Sequence, residues 1–236
     1  MTDQPLSEAD LTALRAYDTP TICNAIELVV PERRSYGFTT RSLHCIRPEL
    51  PPMVGYARTV AVRAFRPSPE SAEAQRDLRF GYLDYVADAP GPTISIVQDL
   101  DDAQVGFGAF WGEVNSNMHW ALGCIGTVTN GSVRDLDMIA DGFQALAGVI
   151  APSHGFIHPV AFAGEVNIAG MVVRSGDLIH ADRHGAVVIP HDAAREIPAA
   201  AELMARREAV ILDAAKAPGA TVDTIKQAML DSAKVT

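Results

Sequence analysis

Strand-like and helix-like segments alternate through the middle of this 236-residue chain. Apolar runs rich in β-branched residues are separated by segments with apolar residues at helical spacing. Parallel strands need such crossovers, so this order predicts βαβ units and a parallel sheet covered on both faces. The predicted strands are 55–64, 93–98, 124–129 and about 148–151, and the predicted helices are a segment through Leu78, Leu83 and Val86, a segment from 112 to about 122, and a short one at 136–140.

The regions on either side of this core have a different character. Residues 156–190 contain short strands punctuated by glycines, which predict a β-rich layer or a small barrel. Helix-capping and helix-breaking residues predict two N-terminal helices within 7–30, and helices over 192–216 and 222–233 at the C-terminal end. Residues 31–53 show little periodicity and are predicted to be a loop or arm. The expected organisation is one domain over 1–236, with an α/β core at 55–190.

Composition limits the classes of function. The net charge is 19 − 29 = −10, which argues against nucleic-acid binding because phosphates require a basic surface. Three scattered cysteines without a C-x-x-C pair fit a reducing cytoplasm. The polar N-terminal residues do not resemble a signal peptide, and no apolar run approaches the ~20 residues of a membrane span. A soluble, cytoplasmic protein with no membrane partner is expected.

The stretch from Gly112 to Asp135 carries the residues best suited to chemistry. Glu113 lies at the start of a predicted helix, and Arg134 and Asp135 follow the next predicted strand. A guanidinium grips a carboxylate or phosphate at two points. An Asp is a hard-oxygen ligand suited to Mg²⁺ or Mn²⁺. Ligands bind at the carboxyl ends of parallel strands, so this position favours a site over a surface ion pair.

The glycines at 106, 108 and 112 invite comparison with dinucleotide-binding loops. Their spacing differs by one residue from the usual fingerprint, and the next strand is followed by Asn130-Gly131 instead of an acidic residue for a ribose. Nucleotide binding is therefore disfavoured. Backbone N–H groups at a helix N-terminus nevertheless favour an anion, and a carboxylate satisfies them as well as a phosphate does.

Several other candidates remain open. His154 follows a predicted strand and is the best candidate for a general acid or base. The pairs His154/His158 and His180/His184 have i, i+4 spacing but lie in predicted loops and strands, which disfavours a histidine metal site. The acidic cluster Asp99, Asp101 and Asp102 also follows a strand and is either a solvated loop or part of the same pocket.

Two catalytic chemistries are disfavoured by the sequence. The only lysines are Lys216, Lys226 and Lys234, all in or beside the C-terminal helices, so imine chemistry has no candidate. There is no G-x-S-x-G motif to support Ser-His-Asp catalysis. If the protein acts on a carbonyl compound, the sequence therefore favours a metal.

The chain resembles the RraA-like family. Glu113, twenty intervening residues and Arg134-Asp135 match the acid-x20-Arg-Asp signature of that family, which contains class II 4-hydroxy-4-methyl-2-oxoglutarate (HMG) aldolases and regulators of ribonuclease activity. The likeness runs from about Thr19 to Pro190 and includes residues 55–60, 130–135, 175–182 and 185–190. Several motifs in the right order make the resemblance specific.

The resemblance implies a fold and an assembly. The expected fold is an α/β/β sandwich of the swivelling-domain type, assembled as a homotrimer or hexamer with sites at subunit interfaces. Matching positions imply that Arg134 holds the pyruvoyl carboxylate of the substrate and that Asp135 ligates Mg²⁺ or Mn²⁺. They also imply that Glu113 holds metal-bound water, and that the backbone amides from Gly112 through Val114 to Asn115 receive the substrate.

The resemblance also implies an activity. The expected reaction is metal-dependent cleavage of a C–C bond in a 2-keto acid, as in an HMG-type aldolase, with oxaloacetate decarboxylation through the same pyruvate enolate. The alternative is a non-enzymatic regulator that binds an RNA-processing enzyme through its acidic surface. This chain departs from the family pattern at Asn24, at Asn115 and in the 153–158 segment, and it has no S-adenosylmethionine motif.

Overall fold

The computed structural model describes residues 6–236; residues 1–5, part of the segment in which no signal peptide was predicted, lie outside the described residues. Within residues 6–236, the helices are α1 (Glu8–Arg15), α2 (Thr19–Val29), α3 (Ala72–Ala87), α4 (Glu113–Ala121), α5 (Ile197–Lys216) and α6 (Val222–Ser232). In the same range, the strands are β1 (His44–Cys45), β2 (Met53–Arg63), β3 (Thr93–Asp99), β4 (Ala109–Trp111), β5 (Cys124–Val133), β6 (Gln144–Ile150), β7 (His158–Phe162), β8 (Val166–Ile168), β9 (Met171–Val173), β10 (Leu178–Asp182) and β11 (Gly185–Ile189).

A mixed sheet in the order β1-β6-β5-β3-β2-β10-β11 forms the centre of the protein. Its core strands β2, β3, β5 and β6 are parallel, while β1, β10 and β11 pair antiparallel. The run Thr93–Val97 in β3 is entirely buried, as expected for a parallel strand covered on both faces. Helix α3 connects β2 to β3 and helix α4 precedes β5, so the predicted α/β class and βαβ crossovers are confirmed.

Helices cover one face of the sheet and a β-hairpin covers the other. Tyr82 and Val86 of α3 are buried against residues of β2, β3 and β5. On the opposite face, hairpin β8–β9 packs Ile168 and Met171 against Ile96 of β3 and neighbouring apolar residues. This arrangement confirms the predicted α/β/β layering.

Helices from the two ends of the chain share a third core. Leu14 of α1, Ile22 of α2 and Ile197 of α5 pack together over Leu178 and Ile189 of β10 and β11. Helix α6 packs on α5, where the Ser232 hydroxyl donates to the backbone oxygen of Arg207 at 2.8 Å. Among the described residues, no helix combines the length and apolar character needed to cross a membrane.

The strands of the parallel core differ from the prediction at their ends. β5 continues through Asn130-Gly131, which were predicted to follow the strand, and reaches Val133. The Asn130 amide bonds both backbone groups of Asp99 at the end of β3, and the register of β5 against β6 shifts between Thr129 and Ser132. β6 begins at Gln144, four residues earlier than predicted. The consequence is that Arg134-Asp135 directly follows a long central strand.

Other segments were only partly predicted. The loop at 31–53 contains a 3₁₀ turn (Pro31–Ser35) and the short edge strand β1, and 136–138 is a 3₁₀ turn instead of a short helix. Strand β4 lies inside the Gly-rich stretch that was predicted to be a loop. β7, β10 and β11 join the main sheet and do not close a separate small barrel. Helix α5 starts at Ile197, five residues later than the predicted start at 192.

Gly148 in β6 offers a test of how tightly the core strands approach each other. A Cβ atom there would lie 2.3 Å from the backbone oxygen of Asn130. We expect Gly148→Ala to lower the free energy of unfolding by roughly 1–3 kcal/mol, because two backbones would have to separate. Chemical denaturation checks this. The control is Gly164→Ala, where a Cβ would meet nothing within 4 Å, and an equal loss in both variants would contradict the expectation.

Candidate functional site

Pairing between two strands brings the ends of the Gly112–Asp135 stretch together. β4 runs parallel to the end of β5, with Ala109 opposite Ser132 and Trp111 opposite Val133. The backbone N–H of Arg134 then donates to the backbone oxygen of Trp111 at 3.0 Å. Gly112-Glu113 and Arg134-Asp135 are therefore direct spatial neighbours, although 20 residues lie between Glu113 and Arg134 in the sequence.

Gly112 is required by space at this junction. A Cβ atom on it would lie 2.6 Å from Asp135 Oδ2 and 3.2 Å from Arg134 Cγ. Its φ of −171° is accessible to any residue, so the constraint is steric and not conformational. The missing side chain lets the Arg134 and Asp135 side chains lie against the start of α4.

Asp135 holds a left-handed backbone conformation, with φ 54° and ψ 44°. Asp and Asn adopt this conformation more readily than other residues with a Cβ atom, although it still carries some strain. Its Oδ2 atom accepts a hydrogen bond from the Glu113 backbone N–H at 3.3 Å and lies 3.6 Å from Arg134 Nε. The Asp135 side chain is 25% exposed, so its carboxylate is fixed in direction yet open to a ligand.

The N-terminus of α4 faces the same place. The N-cap residue Gly112 has no side chain to cap α4, and the first intrahelical bond runs from the Ser116 N–H to the Gly112 oxygen. The N–H groups of Val114 and Asn115 precede that bond and have no intrahelical acceptor. They carry the positive end of the helix dipole. The geometry offers two backbone donors to an anion.

A buried chain of hydrogen bonds fixes α4 against α3. His119 Nδ1 donates to the Asn115 oxygen at 2.8 Å, since a carbonyl can only accept. His119 Nε2 therefore accepts from the Tyr82 hydroxyl at 3.1 Å, and that hydroxyl accepts from Ser95 at 2.7 Å. Burial lowers the pKa of His119 to about 4, so the ring is neutral at pH 7. The site's helix is thus held rigidly from behind.

A cleft of about 500 Å³ opens in front of these groups. Five predicted site residues line it, namely Gly112, Val114, Asn115, Arg134 and His154. Glu113 and Asp135 adjoin it through their contacts with Gly112 and Arg134. The structure therefore brings together the residues selected from the sequence, in a cleft whose volume suits a small molecule.

The far wall of the cleft was not anticipated from the sequence. Gln75 and Arg79 of α3 line it, together with Pro67 and Ser68 from the preceding loop. The i, i+4 spacing of Gln75 and Arg79 places both side chains on one face of α3. That spacing is the only sequence signal for them, and it does not reveal which face of α3 meets the cleft.

His154 lies in the loop that follows β6 and is exposed. Its Nδ1 atom donates to the Gly155 oxygen at 2.7 Å, which fixes the proton on Nδ1 in the neutral ring. Its Nε2 atom makes no hydrogen bond to any residue in 6–236. His154 is thus available for proton transfer at the cleft.

The acidic cluster after β3 organises a loop and does not line the cleft. Asp99 accepts hydrogen bonds from the N–H groups of Gly106 and Asp101, at 2.8 and 2.9 Å. Burial raises the pKa of Asp99. Asp101 accepts from the N–H groups of Ala64 and Phe65. Neither interpretation left open is correct: the cluster does not line the cleft, and Asp99 and Asp101 are buried instead of solvated.

The other histidines do not form a metal site. His180 is buried between the Thr19 hydroxyl and the Tyr17 oxygen, at 3.0 and 3.1 Å. His184 Nδ1 lies 3.1 Å from Asp182. In the described part of the chain, no three or more His, Cys, Asp or Glu side chains form a group that could hold a metal ion.

Asp135 and Glu113 nevertheless suit Mg²⁺ or Mn²⁺. Mg²⁺ keeps several waters and is usually held by one or two carboxylates together with oxygens of the substrate. A single half-buried carboxylate with a second one at the start of α4 matches that pattern, whereas a closed cage of four protein ligands would suit zinc. The donor set therefore fits a hard divalent ion.

Comparisons with solved structures show the fold. An uncharacterised protein from Pseudomonas syringae pv. tomato str. DC3000 has a TM-score of 0.72 and 20% identity, covering 98% of this chain and 97% of that one. A protein described as a novel cellulase from microbes associated with the gut ecosystem has a TM-score of 0.71 and 16% identity, covering 88% and 89%. Streptomyces coelicolor RraAS2, described as an unusual member of the RNase ES inhibitor RraA protein family, has a TM-score of 0.62 and 23% identity, covering 87% and 96%.

The layered sheet and the position of the cleft define an α/β protein of the RraA fold. The family model RraA-like, described as Aldolase/RraA, matches residues 19–188. The chain belongs to this family, as the sequence motifs indicated, and the family includes both aldolases and ribonuclease regulators. A search of curated proteins found no significant match.

Two substitutions at Asp135 separate the effect of losing its charge from the effect of straining its left-handed backbone conformation. We expect the free energy of unfolding of Asp135→Asn to lie within about 1 kcal/mol of that of the unsubstituted protein, because Asn also tolerates this conformation. Asp135→Ala should be less stable than Asp135→Asn by roughly 1–2 kcal/mol, although both remove the same charge. Urea denaturation measures the difference. Equal stability of the two variants would show that the backbone is not strained there.

Two buried histidines predict a pH dependence of stability. Burial lowers the pKa of both His119 and His180 to about 4, below the unfolded value of 6.5. The unfolded chain therefore binds more protons between these values, and stability falls as the pH falls through that window. Each histidine should lower the free energy of unfolding by about 2 kcal/mol as the pH falls from about 7 to about 5.

In His119→Gln, the loss of stability between pH 7 and pH 5 should be smaller by the contribution of this one histidine, about 2 kcal/mol. Urea denaturation at the two pH values measures it. His154→Gln, at an exposed position, serves as the control and should keep the full dependence. An unchanged slope in His119→Gln would mean that its ring titrates normally in the folded protein.

Proposed function

We propose that this protein is a divalent-metal-dependent lyase that cleaves a C–C bond of a 2-keto acid. The observation that carries the proposal is the meeting of the Arg134 guanidinium, the Asp135 carboxylate and the uncapped start of α4 at one end of a cleft. HMG and oxaloacetate are the proposed substrates, because cleavage of either one leaves a pyruvate enolate.

The chain's own groups would bind the keto-acid end of the substrate. Arg134 lines the cleft and can donate two parallel hydrogen bonds to the C1 carboxylate. The N–H groups of Val114 and Asn115 can donate to the same end. Asp135 lies 3.6 Å from Arg134 Nε and so limits the rotation of the guanidinium. Such positioning orients the bond to be broken.

Asp135 is the residue that would ligate Mg²⁺ or Mn²⁺, and Glu113 would hold water bound to the ion. When bound, such an ion polarises the 2-keto oxygen and stabilises the negative charge of the enolate. Within the described residues no lysine lines the cleft that could supply an imine instead. This supports a metal-dependent route for the family chemistry.

The reaction needs a proton at C3. In oxaloacetate the C3–C4 bond breaks, CO₂ leaves, and the electron pair forms an enolate that is protonated at C3. In HMG the 4-hydroxyl group first gives up its proton, and the same bond then breaks to release a second pyruvate. His154 lines the cleft with a free Nε2 atom that carries no proton in the neutral ring, so we assign it to take the 4-hydroxyl proton of HMG and to return that proton to C3. In oxaloacetate decarboxylation water supplies the C3 proton.

We further propose a homotrimer or hexamer in which a neighbouring subunit closes the cleft. Large apolar side chains of its lining are exposed, among them Val114 (67%) and Phe156 (55%). Exposed apolar residues grouped around a polar cleft are typical of a covered surface. A cytoplasmic location would supply 2-keto acids and reducing conditions for the free cysteines.

The alternative is a regulator that binds an RNA-processing enzyme. It is consistent with the family and with the acidic net charge of −10. The presence together of Glu113, Arg134 and Asp135 favours the enzyme, because a binding module has no need of this set. Tight ribonuclease binding in a pull-down, with no lyase activity on either keto acid, would favour the regulator.

Pyruvate release tests the proposal. We expect the protein to release pyruvate from HMG and from oxaloacetate with added Mg²⁺ or Mn²⁺, and to stop when EDTA is added. Arg134→Lys should lower kcat/KM by about 100-fold, because an ammonium keeps the charge but loses the two-point geometry. A coupled lactate dehydrogenase assay with background decarboxylation subtracted measures both.

The matched control is Arg174→Lys. Arg174 pairs with Glu165 at 2.9 Å on an exposed surface and does not line the cleft. Its activity should equal that of the unsubstituted protein. Turnover that persists in EDTA and in Asp135→Ala would overturn the metal-dependent mechanism.

A further inference from the structure

The cleft is positively charged although the protein is acidic. Its lining contains two arginines, Arg79 and Arg134, one histidine, and no Asp or Glu, in a chain of net charge −10. The two adjoining carboxylates, Asp135 and Glu113, lie on the Arg134 side. A cationic concavity on an anionic protein concentrates field lines on an incoming anion. The two arginines have different environments, and this difference indicates which kind of anion the cleft binds.

Arg134 already has a carboxylate neighbour, whereas Arg79 has none. Asp135 lies 3.6 Å from Arg134. The acidic side chains near Arg79 on α3 are engaged elsewhere, since Arg76 lies 2.8 Å from Asp77 and 3.7 Å from Glu73. Within residues 6–236 Arg79 makes no ion pair or hydrogen bond, so its guanidinium is free to receive a ligand.

The position of Arg79 relative to the α4 end of the cleft is fixed. Arg79 lies three residues before Tyr82 on α3, and the Tyr82 hydroxyl donates to His119 of α4 at 3.1 Å. That bond joins the helix that carries Arg79 to the helix whose N-terminus faces the ligand. The α3 and α4 parts of the cleft lining are therefore joined by a buried hydrogen bond between two helices.

We propose that Arg79 is the specificity-determining residue that binds the second carboxylate of the substrate, and so selects dicarboxylic over monocarboxylic 2-keto acids. The assignment rests on the proposed function for the role of Arg134 at the C1 carboxylate. Arg79 supplies a second forked donor from α3, which suits a carboxylate. Next to it, Gln75 and the Ser68 hydroxyl add polar lining at that end.

Two substrates that differ at one group test this. HMG carries a carboxylate on C4, and 4-hydroxy-4-methyl-2-oxopentanoate carries a methyl group in its place, while the bond that breaks is the same. We expect Arg79→Met to raise KM for HMG by about 10-fold or more with little change in kcat, because the lost contact is present in the ground state and the transition state alike. kcat/KM for the monocarboxylate should stay within about twofold.

The matched control lies one helical turn away. Arg76→Met removes an arginine that is paired with Asp77 and does not line the cleft. It should leave kcat and KM unchanged for both substrates. Thermal unfolding confirms that both variants are folded, as expected for exposed positions. If Arg79→Met affects both substrates equally, or neither, the assignment of Arg79 is wrong.

A binding measurement separates this inference from the proposed function. Calorimetry compares 2-oxoglutarate with 2-oxopentanoate, which have the same chain length and differ in the terminal carboxylate. We expect the unsubstituted protein to prefer 2-oxoglutarate and Arg79→Met to lose that preference. If the protein releases no pyruvate but shows this Arg79-dependent preference, the lyase proposal fails and the role of Arg79 stands. If the preference is absent or survives in Arg79→Met, the role of Arg79 fails.

Discussion

The candidate site depends on the pairing of the three-residue strand β4 with the end of β5. The hydrogen bond from the Arg134 N–H to the Trp111 oxygen, at 3.0 Å, is the last rung of that pairing. Trp111 is fully buried and packs against His119 and Phe143, so β4 is anchored in the core although it is short. Without this rung, the start of α4 and the Arg134-Asp135 pair would belong to separate parts of the surface.

The site also combines three unusual backbone features with its charged side chains. Gly112 provides space, Asp135 adopts a strained backbone conformation, and α4 leaves the N–H groups of Val114 and Asn115 without an acceptor in the helix. Each of these departs from what stability alone would favour, and such departures cluster at functional sites. A bond between His119 and Tyr82 and one from the Ala140 N–H to Ser116 hold the same helix in place.

Much of this architecture could be predicted from local patterns. Alternation of apolar runs gave the parallel core, and the position of Arg134-Asp135 after a strand gave one end of the cleft. β4 could not be predicted, because three residues between glycines carry no periodic signal and are held by a distant strand. Asn130-Gly131 has the composition of a turn, yet side-chain bonds to Asp99 keep β5 extended there. Arg79 is an ordinary exposed helical arginine until the tertiary fold places α3 beside the cleft.

The shared core under β10 and β11 has a consequence for how the chain is made. Leu178, Val187 and Ile189 pack in one cluster with apolar residues of α1, α2 and α5. The ribosome releases α1 and α2 long before β10, β11 and α5, so the apolar faces of α1 and α2 stay uncovered until Ala201 has emerged. Contacts between such distant segments form slowly and leave apolar surface exposed in the meantime. The nascent chain is therefore most dependent on chaperones just before its last helices appear.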